Sequence, residues 1–136
     1  MQTIETQFLR NVLRVDALTC LITGVLSVAA SSLLGSSLGL SGGLLQGSGI
    51  ALLAVGAFIL FAAKNVPALR WPVWIVVLGN AVWVLASVLL LISGLEQPTG
   101  LGTAYVIVQA VIVAVLAELE YIGLRKTAGV AGVVAG

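Results

Sequence analysis

Apolar residues fill the chain in four long blocks, roughly 12 to 34, 44 to 63, 71 to 93 and 103 to 124, with most polar positions collected between them. A helix needs about 20 mostly apolar residues to cross a hydrocarbon core of about 30 Å, and each block meets that length. The breaks carry turn chemistry: "GSSLGLSGG" at 35 to 43, Pro67 in "KNVPALR", and "GLEQPTG" at 94 to 100. This pattern predicts an all-α domain over residues 1–126, a four-helix transmembrane bundle whose short loops make sequential spans antiparallel neighbours. Pro72 suits the first turn of the third span, where a missing backbone donor costs nothing. Thr103 is the expected cap of the fourth. The small-residue tail "TAGVAGVVAG", 127–136, reads as disordered.

Helical spacing sorts the polar residues into faces. At about 100° per residue, Asp16, Cys20, Thr23, Ser27 and Ser31 share one side of the first span. Arg14 falls nearly opposite, with Arg10 and Asn11, so arginine stems are expected to reach the headgroups while Asp16, about a turn inside, faces other helices. The third span repeats the pattern with Asn80, Trp83 and Ser87. Asn80 and Trp83 come near mid-membrane, where their N–H groups need protein partners. On the fourth span Tyr105, Gln109 and Glu120 share one side, and Glu118 and Arg125 the other. The second span carries "GLLQG", and the Gly43/Gly47 spacing permits close helix approach, either inside the bundle or between copies in a homo-oligomer.

Composition narrows the chemistry. Of 136 residues 60% are hydrophobic and 8% charged, and the mean hydropathy is +1.21, which makes the lipid bilayer the first partner. A net charge of +1 without a basic stripe gives nucleic acid nothing to bind. The lone Cys20 and the absence of histidine exclude dithiol and histidine-based chemistry. Without a phosphate loop, a metal-ligand cluster or a triad, the expectation is no catalytic residue, no metal and no cofactor. An enzyme would have to work through converging carboxylates, and Glu118 and Glu120, facing opposite ways, cannot supply them alone.

All Lys and Arg residues (Arg10, Arg14, Lys64, Arg70, Arg125 and Lys126) fall at one end of the predicted bundle. Basic residues stay on the cytoplasmic side, so both termini are expected there, with Trp71 and Trp74 at that interface. Arg14, Glu118 and Arg125 share a depth and form a candidate ion-pair network. Asp16, Asn80, Trp83, Gln109 and Glu120 are the candidate ligand-binding or intramembrane polar residues. Beside each functional reading stands a structural one: hydrogen bonds between helices for Asn80, Trp83 and Gln109, and a collar of charge for the carboxylates.

The stretches "LGNAVWVLAS" (78–87), "PTGLG" (98–102) and "QAVIVAVLAELEYIGLR" (109–125) resemble a set of small, uncharacterised bacterial inner-membrane proteins of four spans, over about Leu9 to Lys126. The resemblance implies a bacterial inner membrane and brings no activity and no site residues. The functional expectation is a non-enzymatic bundle, either an accessory subunit of another membrane protein or a binder of a lipid-like or apolar small molecule. The alternative is a proton-coupled transporter of a small molecule using Asp16 or Glu120.

Overall fold

The computed structural model describes residues 4–135, with side chains as far as Thr127. Among the described residues it is entirely helical: α1 (Ile4–Ala29), α2 (Ser31–Leu38), α3 (Gly42–Asn65), α4 (Trp71–Ser93) and α5 (Gly100–Ala135). Four of these, α1, α3, α4 and α5, are long and apolar enough to cross a membrane. They form a square in which α1 and α4 occupy opposite corners, each packed against both α3 and α5. The third block matches α4 at both ends.

The first block departs most from expectation. Its helix begins at Ile4 and breaks at Ala30, so the segment expected to finish the span becomes the separate helix α2. With no proline from 30 to 38, the chain keeps helical hydrogen bonding into the first part of the expected loop until Gly39, at φ 70°, closes it. Gly39 is held tightly there, because a Cβ would lie 2.6 Å from the Gln97 carbonyl oxygen. The starting point of α1 also moves Asp16. It lies twelve positions beyond Ile4, about 18 Å along the axis, which is the middle of the helix instead of its mouth.

At the other end of the chain, α5 continues through the expected tail to Ala135, since nothing there except the glycines opposes a helix. The last residue of that tail, Gly136, lies outside the described residues. The cap of α5 is Thr99, not Thr103: its hydroxyl accepts from Gly102 N at 3.0 Å and donates to the Ser37 carbonyl at 2.9 Å. Pro72 occupies the first turn of α4 as expected.

Lipid offers helices no hydrophobic reason to associate, so close backbone packing and hydrogen bonds must hold them together. The α1–α3 seam is built for this. Ala17 and Gly24 of α1 oppose Gly56 and Gly49 of α3, and a Cβ on Gly49 would stand 2.9 Å from the Gly24 carbonyl oxygen. Gly43 and Gly47 take no part, since both face open space on the outside of α3. Apolar cores fill the two ends of the bundle. One joins Leu9, Leu13, Ile59, Val73 and Leu124, and the other Leu38, Leu45 and Val106.

The basic residues gather at one end. Arg10, buried rather than reaching outward, donates from Nε to the Ala63 carbonyl at 3.0 Å and from Nη2 to the Val66 carbonyl at 2.6 Å. These are carbonyls that the end of α3 leaves without helical partners, at the negative end of its dipole. Arg70 likewise donates to the Leu124 carbonyl at 2.8 Å, and Lys126 lies over the Phe8 ring. Trp71 and Trp74 are exposed at this same end. The opposite end is stitched by Glu96, whose carboxylate accepts from both the backbone N–H and the hydroxyl of Ser41 at 3.1 and 2.8 Å.

Candidate functional site

Two polar clusters sit one helical turn apart on the inner face of α4. The first is centred on Asn80, which donates from Nδ2 to Asp16 Oδ2 of α1 at 2.9 Å and to Glu120 Oε2 of α5 at 3.1 Å. An amide nitrogen carries two hydrogens, so this single group satisfies both acceptors. Asp16 also lies 3.7 Å from the Cys20 thiol, which donates to its Oδ1. Asp16 is 1% exposed and Glu120 fully buried, and the two carboxylates meet at the one Asn80 nitrogen.

No cation balances this pair. Arg10 and Arg70, the basic residues turned inward, donate to backbone carbonyls, Arg70 Nε being left without an acceptor, and among the described residues neither acid has an ion-pair partner. Glu120 Oε1 is buried with no donor at all. A buried charge without a partner is costly in a medium of low polarity.

The second cluster joins Trp83, Ser87 and Gln109. The Trp83 indole N–H donates to Gln109 Oε1 at 2.7 Å, and Gln109 Nε2 donates to Ser87 Oγ and to the Val106 carbonyl, both at 2.9 Å. Every hydrogen-bonding atom of the Gln109 amide is therefore engaged. The Trp83 ring, with its N–H occupied, presents its apolar face to the space around it.

That space is considerable. The packed cores at the two ends leave the middle of the bundle open around Trp83 and Leu52, which line three adjoining cavities. The largest, about 520 Å³, lies between α1 and α5 and has Asp16, Cys20, Trp83, Gln109 and Tyr105 on its wall. Its α5 side includes Ala104, Val108 and Ile112, residues that also face outward, so it opens on the lipid side of the bundle. A second, about 380 Å³, lies between α3 and α4 and reaches Asn80 and Cys20. Nearer the basic end α1 and α5 close on each other, where a Cβ on Gly123 would stand 3.2 Å from Leu9 Cβ.

The structure thus brings Asp16, Asn80 and Glu120 together as one group and Trp83 and Gln109 as another. It does not bring Arg14, Glu118 and Arg125 together. Arg14 and Glu118 are exposed, and Arg125 donates to the Tyr121 hydroxyl on its own helix at 3.3 Å and lies over that ring. Among the described residues no ion pair joins the three. The reason is rotational: each stands on the outward face of its helix, and equal depth does not bring outward faces into contact. Sequence reasoning passed over Arg10 as an inward group and Glu96 as a clamp on Ser41. The one available signal for Glu96 was an acid in a loop otherwise free of charge.

No known family, characterised relative or solved structure matches the chain. Among the described residues no three His, Cys, Asp or Glu side chains gather into a metal-binding group.

Proposed function

We propose that this protein is a non-enzymatic membrane protein of the bacterial inner membrane, with both termini cytoplasmic, that takes up an apolar or lipid-like small molecule in the space around Trp83. The observation that carries this reading is the cavity of about 520 Å³ between α1 and α5, apolar on most of its wall and open toward lipid. Small-molecule sites are typically concave, largely apolar and about 300–1,000 Å³ in volume. The engaged Trp83–Gln109 pair supports it as well, since it fixes an aromatic face at the centre of the bundle. Orientation rests on the gathering of the basic residues at one end. Self-association along the outer face of α3 fits the open Gly43 and Gly47.

The test is native mass spectrometry of the gently extracted protein, alone and with added octanol as an apolar probe. The expected result is a small molecule retained at one per bundle, or octanol binding at that ratio, kept in Trp74→Ala and lost in Trp83→Ala. A chain that retains nothing and binds no octanol overturns the reading, and a foreign subunit in the same spectrum replaces it with the accessory role.

A second reading, proton-coupled transport of a small molecule, is favoured by two buried carboxylates, Asp16 and Glu120, brought to one donor beside that cavity. It requires uptake into proteoliposomes driven by a pH gradient and abolished by Asp16→Asn or Glu120→Gln.

A further inference from the structure

We infer that the molecule bound in the α1–α5 cavity is an amphiphilic amine bearing at least one N–H, its ammonium head seated at Asp16 and Glu120 and its apolar body lying along Trp83. This rests on the cavity reading above and names the class of ligand.

The first ground is placement. Asp16 is a carboxyl on the wall of a cavity that is otherwise mostly apolar, so the space has one acidic end and a long greasy remainder. The second is the state of the polar groups. The indole of Trp83 and the amide of Gln109 are committed to each other and to Ser87, whereas Glu120 Oε1, fully buried, lacks any donor. The third is charge. The groups facing the pair are Asp16 and Cys20 from α1, Asn80 from α4 and Glu120 itself from α5. The only charged residue of α3 is Lys64 at its far end, beside a surface pocket it shares with Arg14. Two acids therefore meet one neutral amide and one thiol, and no cation.

An ammonium held at Asp16 on the cavity wall supplies the positive charge the cluster lacks and, by reaching past Asp16 to Glu120, which does not itself line the cavity, a donor for its unpartnered Oε1. A quaternary ammonium brings the charge without the donor, and an alcohol of the same length brings a donor without the charge. Charge-assisted hydrogen bonds are the strong kind, and their contribution corresponds to about tenfold or more in affinity.

The experiment compares octylamine, octanol and octyltrimethylammonium by native mass-spectrometric titration of the full-length protein in mild detergent. Octylamine is expected to bind about tenfold or more tightly than either of the others, and Glu120→Gln to remove that advantage while octanol binding persists. If octylamine and octanol bind equally, the cavity reading stands and the amine inference falls. If the quaternary ion matches octylamine, charge alone is read and the N–H requirement falls. If none of the three binds, the cavity reading itself is overturned. An amine advantage that survives in both Glu120→Gln and Asp16→Asn moves the ammonium site elsewhere and overturns the assignment.

Discussion

The carboxyl groups of Asp16 and Glu120, carried on antiparallel helices, accept hydrogen bonds from the same nitrogen, Asn80 Nδ2, at 2.9 and 3.1 Å. Three of the four spanning helices thus meet at one amide, at a level where α1 and α4 do not otherwise pack against each other. The arrangement ties the diagonal of the square together. It also leaves two acids with more acceptor oxygens than Asn80 and Cys20 can satisfy, a deficit that only a proton or an incoming donor removes.

That deficit makes amide and alanine substitutions at position 120 behave differently. In Glu120→Gln the new amide oxygen still accepts from Asn80 and one of two buried acids is removed, so thermal stability in detergent is expected to stay near that of the parent. Glu120→Ala opens a void and leaves one hydrogen of Asn80 Nδ2 without its acceptor, and Asn80→Ala removes the shared donor from both acids. Each is expected to cost about 1–3 kcal/mol, the typical price of an unsatisfied buried polar group. Equal melting temperatures for Glu120→Gln and Glu120→Ala would show that the Asn80 hydrogen bond to position 120 contributes nothing to stability.

The two N-terminal arginines are expected to differ just as sharply. Arg10 holds two carbonyls at the end of α3, so Arg10→Ala removes hydrogen bonds from a charged donor, about 1.5–3 kcal/mol. Arg14 is exposed and makes no such contact among the described residues, so Arg14→Ala should leave the melting temperature almost unchanged. The comparison is a pair of thermal melts followed by circular dichroism, and similar losses in both variants would refute the distinction.

What the sequence disclosed follows from which properties are local. Span number and the limits of α4 were legible because length and hydropathy are properties of one segment. The inward stripe of Asp16, Cys20 and Ser27 was legible because a helix wheel fixes relative angles. The place of Asp16 along its helix was not legible, since the apolar count began at residue 12 whereas α1 runs from Ile4, its polar first turns being as helical as the rest. Neighbours were not legible at all. A wheel places Glu120 and Gln109 on one side of α5, yet only the packing of the square sends Glu120 to Asp16 and Gln109 to Trp83. The same applies to glycines: "GLLQG" carries the obvious spacing, but the close approach is made by Gly49 and Gly56, which repeat seven apart opposite Ala17 and Gly24.

Orientation can be read from single cysteines, because the only native one, Cys20, is buried and Cys20→Ser keeps a donor for Asp16. In that background Gln97→Cys lies at the end away from the basic residues, and Lys126→Cys among them. Intact cells treated with a membrane-impermeant maleimide are expected to label position 97 and not position 126, the latter reacting only after permeabilisation. The reverse pattern would place both termini outside.

The glycines of α3 offer a contrast between two faces of one helix. Glycine in a helix interior costs about 1 kcal/mol relative to alanine, so an added methyl should stabilise wherever it finds room. Gly43 and Gly47 face open space, and Gly43→Ala or Gly47→Ala is expected to leave the melting temperature equal or slightly raised. At Gly49 the methyl would meet the Gly24 carbonyl oxygen and Val28 Cγ2, both at 2.9 Å. Relief there requires α1 and α3 to part, and overpacking of this kind costs about 1–3 kcal/mol, which outweighs the gain in propensity. Gly49→Ala should therefore melt clearly below the parent. Because the Gly49 seam lies within one chain, its loss should be independent of protein concentration. A concentration-dependent loss in Gly43→Ala or Gly47→Ala would instead place a second copy of the chain against that outer face.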